Sequence, residues 1–294
     1  MSWDIAACGT LHRDDITTPH GTRTSLGGSA VYFALAASRH ATVHLNSIVG
    51  SDTVDGYRAL LEATRVDIEG VVVSEHPTFT WHATHDFERW VTSHESAEPG
   101  CDAAWSPLLS TASSDAPVLF LGSMDPHLQL DVLCQSKARL IGADSMTVFI
   151  REKLAAVRRV AESADVLFLN IEELRMLTGQ SDWRTAASSL CGRGRTRAVV
   201  VKRGPDGAAC VSATGVTEIA AHAVDRVIDP TGAGDALAGG FLGHCAQAER
   251  GALDVFAQAL AEGVRCAAGA VSSFGVAGLL RDIHGDGGGS RPPV

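Results

Sequence analysis

Residues 229–235 have the sequence DPTGAGD and are followed by a run of small and apolar residues, ALAGGF. Small residues in front of a helix let backbone N–H groups converge at its N-terminus, where unpaired amides and the helix dipole attract an anion. We therefore predict a phosphate-binding loop formed by Gly232, Ala233 and Gly234. Asp235 ends this loop, and a carboxylate there can accept a proton from a hydroxyl that attacks the phosphate.

The glycines of this loop differ in pattern from two common nucleotide-binding loops. The chain contains no GxxxxGK[ST] sequence, which excludes a Walker A loop. Leu237 stands where a GxGxxG fingerprint beginning at Gly232 needs its last glycine, and the loop is far from the first strand, which argues against a dinucleotide-binding dehydrogenase. A glycine-rich turn capped by Asp235, with no ligand, is the alternative that this segment alone leaves open.

Along the rest of the chain, apolar runs of strand length alternate with segments of helical period. Runs such as 118–121 (VLFL) and 199–201 (VVV) are apolar at every position, which is typical of parallel strands covered by helices on both faces. This alternation predicts an α/β domain over residues 1–284 with a mostly parallel central sheet. The predicted strands are residues 4–8, 42–49, 118–121, 138–143, 165–170 and 198–202.

Two segments interrupt this alternation, at about residues 15–26 and 77–104. Both contain polar, β-branched and aromatic residues in strand-like order, so we predict that they form the antiparallel strands of a small β lid. The aromatic side chains of residues 78–81 (TFTW) can close over a ligand, and packing within the lid explains them equally well. Residues 285–294 are rich in glycine and poor in apolar residues, which predicts a disordered tail.

Composition excludes several classes of partner. The formal net charge is −10 and Lys and Arg are not clustered, so neither nucleic acid nor an anionic membrane surface is expected as a partner. We find no signal peptide and no apolar stretch of about 18 residues. The seven cysteines are scattered, without a CxxC pair or zinc-ligand spacing, and the twelve histidines show no ligand spacing. We expect reduced thiols and a cytoplasmic protein.

The DPTGAGD segment resembles the second signature of the ribokinase, or PfkB, carbohydrate kinase family, and the likeness covers nearly the whole chain. Asp14 follows Gly9 at the spacing of the family's substrate-binding Asp, residues 27–30 (GGSA) resemble its di-glycine substrate turn, and residues 49–52 with Gly56 resemble the stretch after its second core strand. The resemblance implies a ribokinase-like three-layer α/β/α fold and transfer of the ATP γ-phosphate to a hydroxyl group. The substrate contacts that it implies are Asp14, Gly27, Gly28, Ser29 and Asp235.

The nucleotide half of the family pattern is also present. Residues 170–173 (NIEE) resemble the NxxE element, which in the family organises magnesium and phosphates through water, and residues 202–207 (KRGPDG) resemble its KxGxxG nucleotide loop. From the residues alone, a helix cap at Asn170, an exposed acid at Glu173 and a solvated cation at Lys202 remain alternatives. The resemblance implies ATP and Mg²⁺ as cofactors, Mg²⁺ held through water by Glu173, with the nucleotide bound by Asn170, Glu173, Lys202, Gly204, Gly207, Thr231, Gly232 and Gly234.

Some implications of the resemblance are weaker. Asp229 and Thr231 match a segment that supplies oxygens to a monovalent cation in several relatives, which implies a K⁺ site. Asp15 is an alternative to Asp14 as the substrate ligand. Tyr32 stands where ribokinase-like members commonly carry Asn, so the sugar contacts there differ. The specificity positions suggested by a less characterised branch of sugar kinases are Ser29, Asp144 and Thr147.

The family resemblance leaves the substrate open. A small polyol or sugar is the first expectation, and a nucleoside, with its base covered by the aromatic lid, is the second. A nucleotide-binding regulator without turnover is a third alternative, against which the intact Asp235 argues, because a protein that only binds has no need of the base. We also expect a homodimer formed through the lid.

Overall fold

The structure is a computed structural model that describes residues 3–88, 91–248 and 255–284. The predicted tail at 285–294 lies outside the described residues. The described strands are β1 (Ile5–Cys8), β2 (His12–Thr18), β3 (Gly21–Gly27), β4 (Val43–Gly50), β5 (Val66–Ser74), β6 (Thr80–Asp86), β7 (Val91–Glu98), β8 (Val118–Leu121), β9 (Leu140–Asp144), β10 (Val166–Asn170), β11 (Ala198–Lys202), β12 (Ala208–Ser212) and β13 (Gly215–Ile219).

The helices of the described residues alternate with these strands. They are α1 (Ser29–Ala37), α2 (Val54–Leu61), α3 (Thr111–Ser114), α4 (Pro126–Gln135), α5 (Thr147–Glu152), α6 (Leu154–Ser163), α7 (Ile171–Thr178), α8 (Trp183–Leu190), α9 (Ala233–Gln247), α10 (Val255–Val271) and α11 (Ala277–His284). Local signals fix several of their ends. Asp125, the residue before Pro126, caps α4 by accepting a hydrogen bond from the N–H of His127. Gly179, at φ 74°, ends α7.

The central sheet has nine strands in the order β13-β12-β11-β10-β9-β8-β1-β4-β5. Neighbouring strands from β5 to β11 are parallel, and β12 and β13 add an antiparallel hairpin at one edge. Since parallel strands need crossover connections, the helices between them cover both faces. The predicted three-layer α/β/α fold with a mostly parallel sheet is confirmed.

Side-chain alternation along the central strands builds two cores. In β8, Val118 and Phe120 join a core with α1, α9 and α10, whereas Leu119 and Leu121 join a second core with α4, α6 and α8. All four side chains are fully buried. Burial on both faces explains why these strands are apolar at every position.

A second sheet has four strands in the order β3-β2-β6-β7, and we call it the lid sheet. β2 and β6 are parallel, while β2–β3 and β6–β7 are antiparallel pairs. Its base is fixed to the main domain by Tyr57, whose hydroxyl group contacts the carbonyl oxygens of His12 at 2.7 Å and Gly27 at 2.8 Å. The lid sheet is therefore anchored to α2 of the main domain.

Helix α9 is held between α1 and α10 by close backbone contacts. A Cβ on Gly239 would lie 2.3 Å from the carbonyl oxygen of Phe33, and one on Gly240 would lie 2.8 Å from Sγ of Cys266. Any larger residue would push the helices apart. The two glycines therefore fix the position of α9, whose N-terminus carries the predicted phosphate-binding loop.

Within the described residues, no helix combines the length and the apolar character needed to cross a membrane. All seven cysteines are free thiols. Burial raises the pKa of several of them, with Cys8 reaching about 12. Such thiols are protonated and behave as small apolar side chains.

Candidate active site

The loop 229–235 lies at the carboxyl edge of the central sheet and leads into α9. Gly232 is the N-cap residue and adopts the left-handed conformation, φ 73°, and the N–H of Ala236 donates to its carbonyl oxygen at 2.9 Å. The N–H of Ala233 makes a longer bond, 3.3 Å, to the carbonyl oxygen of Pro230. A phosphate must therefore compete with Pro230 for this amide, and the binding of phosphate by Gly232, Ala233 and Gly234 stays a prediction.

Asp235 lies in the first turn of α9, close to a cation and to a second carboxylate. Its Oδ1 atom is inaccessible to solvent and has no hydrogen-bond partner. Burial and then the charge of Asp144 raise the pKa of Asp235 well above its ordinary value, while the charge of Lys202 acts in the opposite direction. A carboxylate with a raised pKa accepts a proton more readily, so this environment suits the predicted general base.

The cation and the second carboxylate form an ion pair beneath the loop. Asp144 ends β9, Lys202 ends β11, and the lysine Nζ lies 2.9 Å and 2.8 Å from the two oxygens of Asp144. The same Nζ lies 3.2 Å from where a Cβ on Gly234 would stand. Burial opposes the charge of Lys202, but Asp144 and then Glu173 raise its pKa above the ordinary value. Lys202 therefore lies beside the predicted base as well as near the predicted phosphates.

Asp14 lies on β2 at the base of the lid sheet and is 2 % exposed. The N–H of Gly28 donates to its carboxylate, and a Cβ on Gly27 would lie only 1.8 Å from its Oδ2. Its Oδ1 is buried without a partner. Burial raises the pKa of Asp14 to about 6, His12 opposes this increase and Asp229 adds to it. The di-glycine turn thus makes room for this carboxylate and binds it.

Two neighbouring candidates point elsewhere. Asp15 follows Asp14 on β2 and so projects from the opposite face, where its Oδ2 lies 3.2 Å from Nδ1 of His82. Oγ of Ser29 accepts a hydrogen bond from the N–H of Thr10 at 3.2 Å, which turns the hydroxyl toward the chain that follows β1. Asp14, rather than Asp15, therefore faces the crevice, and substrate binding by Ser29 stays a prediction.

Asn170 and Glu173 form a capping box at the start of α7. Oδ1 of Asn170 accepts from the N–H of Glu173, and Oε2 of Glu173 accepts from the N–H of Asn170, both at 2.8 Å. Glu173 is 5 % exposed, so it is a buried acid and not the exposed one that the sequence alone leaves open. Burial raises its pKa to about 7, and Lys202 opposes that increase. The capping bonds leave the amide nitrogen of Asn170 and the other oxygen of Glu173 for phosphate or water.

The loop after β11 has structural reasons for its glycines. Gly204 and Gly207 have positive φ values of 58° and 85°. A Cβ on Gly207 would lie 2.1 Å from the carbonyl oxygen of Ile219, so packing against β13 requires glycine there. Arg203 pairs with Glu218 at 2.6 Å. These contacts account for the local structure, and nucleotide binding by Gly204 and Gly207 stays a prediction.

Asp229 is a buried carboxylate at the start of the loop, and it is 1 % exposed. Its Oδ1 accepts from the N–H of Thr231 at 2.9 Å, whereas its Oδ2 is inaccessible to solvent and has no hydrogen-bond partner. A buried carboxylate oxygen requires a cation or a donor. Asp229 and Thr231 therefore fit the expected monovalent cation, whose binding stays a prediction.

Three further side chains belong to this crevice. His85 of the lid sheet, which no sequence pattern singles out, places Nε2 3.0 Å from Oγ1 of Thr231. The sequence suggests Asp144 only as a specificity position. In the structure it is the last residue of β9, as Asn170 is the last residue of the adjacent β10. A polar residue at the end of a predicted parallel strand is therefore a signal that could have found it. Tyr32 packs its ring against the loop at Gly232.

The comparisons with known proteins agree with this architecture. A cytidine kinase of Thermococcus kodakarensis is 28% identical over 247 residues, which cover 81% of this chain and 87% of the relative. The Burkholderia thailandensis nucleoside kinase solved in complex with inosine has a TM-score of 0.77 at 21% identity, covering 92% of each chain. An E. coli protein assigned as ribokinase II, solved with ATP and Mg²⁺, has a TM-score of 0.79 at 21% identity, covering 97% of this chain and 98% of that one.

The family assignment rests on a match along nearly the whole chain. The model of the pfkB family of carbohydrate kinases matches residues 4–282, which contain both the lid sheet and the loop 229–235. The chain therefore belongs to the pfkB family of carbohydrate kinases.

Proposed function

We propose that this protein is an ATP-dependent phosphotransferase that phosphorylates a hydroxyl group, most simply a primary one, of a small sugar or sugar-like substrate, with Asp235 as the general base. One observation carries this proposal. Asp14, Asp229 and Asp235 each keep a buried carboxylate oxygen without a partner in the crevice at the N-terminus of α9. Hydroxyl groups and cations satisfy such oxygens, and the helix N-terminus favours phosphate.

In the proposed reaction, one carboxylate orients the substrate, a second accepts its proton, and backbone amides bind the phosphoryl group. Asp14 accepts hydrogen bonds from substrate hydroxyls through Oδ1 and thereby orients the substrate. Asp235 accepts the proton of the attacking hydroxyl as the new O–P bond forms and the bond between the β–γ bridging oxygen and the γ-phosphorus breaks. The amides of Gly232, Ala233 and Gly234 bind the transferring phosphoryl group, and the lid sheet excludes water.

ATP and Mg²⁺ are proposed to bind where β10 and β11 end, next to the loop 229–235. Asn170 and Glu173 would hold them, directly or through water, with Lys202, Gly204, Gly207 and Thr231 as further predicted contacts. The bound Mg²⁺ supplies charge neutralisation of the phosphates. The ATP and Mg²⁺ complex of the E. coli structural neighbour supports these two cofactors. The unpartnered Oδ2 of Asp229 supports a monovalent cation, for which K⁺ is our expectation.

A nucleoside is the second candidate substrate. Two of the similar proteins are a cytidine kinase and a nucleoside kinase solved with inosine. Aromatic rings also lie at the base of the lid sheet: the ring of His12, whose charge acts on Asp14, packs 4.4 Å from the ring of Phe79, the residue before β6. A base can stack on such a surface. A regulator without turnover is the less favoured alternative, because it would have no use for the raised pKa of Asp235.

Two further proposals concern the protein as a whole. We propose a homodimer formed through the lid sheet, which is supported by β3 being an edge strand with an exposed stretch at residues 21–24. We also propose that the protein works in the cytoplasm, which is supported by its seven free thiols. No nucleic-acid or membrane partner is proposed.

The experiment that tests the function measures ATP consumption with Mg²⁺ against a panel of pentoses, hexoses, inositols, amino sugars and nucleosides. We expect one class of acceptor to stimulate ATP consumption by the wild type. With that acceptor, Asp235→Asn should consume ATP more slowly by about 100-fold or more while still binding ATP. Asp182→Asn is the matched control, because Asp182 is an exposed cap of α8 and Asn caps equally well. Tight ATP binding without turnover on any acceptor would favour the regulator.

A further inference from the structure

A cavity of about 620 Å³ lies beside β5, the edge strand of the central sheet. We call it the β5 cavity. Its walls are formed by residues 69–72 of β5, by residues 108–110 and 112, and by the side chains of Trp3, His44 and Asn46. Sites for small organic molecules have volumes of this size and combine apolar walls with a few fixed polar groups. The β5 cavity therefore has the dimensions of a ligand site.

The β5 cavity is separate from the crevice described above. His44 and Asn46 alternate along β4 with Val43 and Leu45, which belong to the core formed with α1 and α9. The side chains of His44 and Asn46 therefore project from the other face of the sheet, whereas the loop 229–235 leads into α9. None of the residues in the proposed reaction lines the β5 cavity.

Exposed apolar side chains form part of its wall. Val72 of β5 is 52 % exposed, and Leu108 is 85 % exposed. Among the residues that the structure describes, five large apolar side chains are exposed, and two of them line this one cavity while Val73 follows Val72 on the strand. Single exposed apolar residues are ordinary, but a cluster of them marks a surface that binds something.

The inner wall is made of side chains that are already held in place. The rings of Trp3 and His44 stack, with centroids 5.4 Å apart and planes at 25°. Nδ1 of His44 contacts Oδ2 of Asp67. Oδ1 of Asn46 accepts a hydrogen bond from Oγ of Ser113 at 3.0 Å. An aromatic ring can therefore pack against this wall with little loss of side-chain entropy by the protein.

The charge of the β5 cavity selects among ligands. Glu69 is exposed and lines it, and no Lys or Arg does so among the described residues. A carboxylate repels an anion such as ATP or a phosphorylated product, and it attracts an ammonium group. The complementary ligand is an aromatic ring that carries a positive charge.

We propose that the β5 cavity is a second ligand site, which binds a small aromatic amine: the ring packs against Trp3 and Leu109, and the ammonium group pairs with Glu69. This site is additional to the phosphotransferase function and does not depend on it. Its ligand is neither the nucleotide nor the phosphorylated product of that reaction.

The test titrates the full chain with three probes that share an indole ring: cationic tryptamine, neutral indole and anionic indoleacetate. Calorimetry measures their affinities, and the side-chain N–H signal of Trp3 in heteronuclear NMR spectra, assigned with Trp3→Phe, locates them. We expect tryptamine to bind about tenfold more tightly than indoleacetate, with indole between them, since one charge is attracted and the other repelled. Tryptamine should shift the Trp3 signal.

Three variants test the individual contacts. Glu69→Gln should weaken tryptamine by about fivefold and leave indole unchanged, because only the ion pair is lost. Trp3→Ala should weaken all three probes by about three- to tenfold. Glu152→Gln is the matched control, because Glu152 is an exposed acid at the end of α5 that does not line the cavity. Glu69→Gln changes an exposed side chain, so it tests the proposal even where Trp3→Ala unfolds.

Several outcomes would overturn the proposal. Displacement of tryptamine by ATP with Mg²⁺, or a Trp3 signal that does not move, would place the probe elsewhere. Equal affinity of the wild type and Glu69→Gln for tryptamine, or no binding of any probe, would remove the site. A lower mass in solution for Leu108→Ser, without tryptamine binding to the wild type, would assign the apolar patch to a second copy of the chain. Asp235→Asn should bind tryptamine as the wild type does, so these results leave the phosphotransferase proposal untouched.

Discussion

Nε2 of His85 lies 3.0 Å from Oγ1 of Thr231, so a hydrogen bond joins the lid sheet to the loop 229–235. The same nitrogen lies 3.9 Å from Oδ1 of Asp229, and the side chain of His85 is 9 % exposed. Burial lowers the pKa of His85, with Asp229 opposing this effect, so the imidazole is neutral at pH 7. The contact holds the lid sheet over the loop without adding a charge.

We predict that His85→Ala weakens this closure. Loss of one buried hydrogen bond should lower kcat/KM for the acceptor by about tenfold. Because water then reaches the loop more easily, the fraction of ATP hydrolysed without transfer should rise. The measurement is the ratio of ADP formed to acceptor phosphorylated, at saturating ATP.

The matched control for this prediction is His82→Ala. His82 lies on the same strand but projects from its other face, toward Asp15 and Glu98. We expect its ratio of ADP to product to equal that of the wild type. If both variants behave alike, the lid sheet is not held through Thr231.

A second prediction compares two glycines with the same backbone conformation. Gly232 and Gly179 have φ values of 73° and 74°, but an added Cβ would lie 2.3 Å from the ring of Tyr32 at Gly232 and meets nothing within 4 Å at Gly179. Gly179→Ala should lower the free energy of unfolding by about 1 kcal/mol, from backbone strain alone, and leave kcat unchanged. Gly232→Ala carries the same strain and also displaces the loop.

We therefore expect Gly232→Ala to lose at least about 100-fold in kcat, since one misplaced donor in an anion site has that effect. Urea unfolding and steady-state kinetics on the two variants check this prediction. An active Gly232→Ala, with the stability of Gly179→Ala, would show that the loop does not need its left-handed turn for catalysis.

The parts of the fold that the sequence predicts are those with strong local patterns. The fully apolar strand β8 and the helix that begins at Pro126 correspond to contiguous signals in the sequence. β5 was not predicted, because polar residues are mixed into it and a β-bulge opposite His44 and Asn46 interrupts its period. The hairpin of β12 and β13 was not predicted either, since its strands are short and rich in small residues.

The same distinction holds for the candidate site. Asp14, Asn170 and Asp235 lie in contiguous motifs, so their residue types and spacing suffice to single them out. The contact of His85 with Thr231 joins residues 146 positions apart, and the pair of Lys202 and Asp144 joins residues 58 positions apart. Contacts of that kind depend on which strands are neighbours in the sheet, which no local pattern contains.

The pair of Lys202 and Asp144 gives the third prediction, a pair of pH shifts of opposite sign. Asp235 must be ionised to accept a proton, so kcat/KM should rise with pH as this group deprotonates. Lys202→Met removes a positive charge that favours ionisation, which raises the pKa of Asp235 and moves the acid limb to higher pH. Asp144→Asn removes a negative charge that opposes ionisation, which lowers that pKa and moves the acid limb to lower pH.

Both variants break a buried ion pair, which lowers the free energy of unfolding by about 3–5 kcal/mol. A control is therefore needed that loses stability without changing the pH dependence of kcat/KM. Asp165→Asn is the control: Asp165 is also buried and pairs with Arg195 at 2.8 Å, but it precedes β10, at the opposite edge of the sheet from the crevice. It should lose stability and keep the wild-type pH profile. Shifts of the same sign in Lys202→Met and Asp144→Asn would mean that the acid limb does not report the ionisation of Asp235.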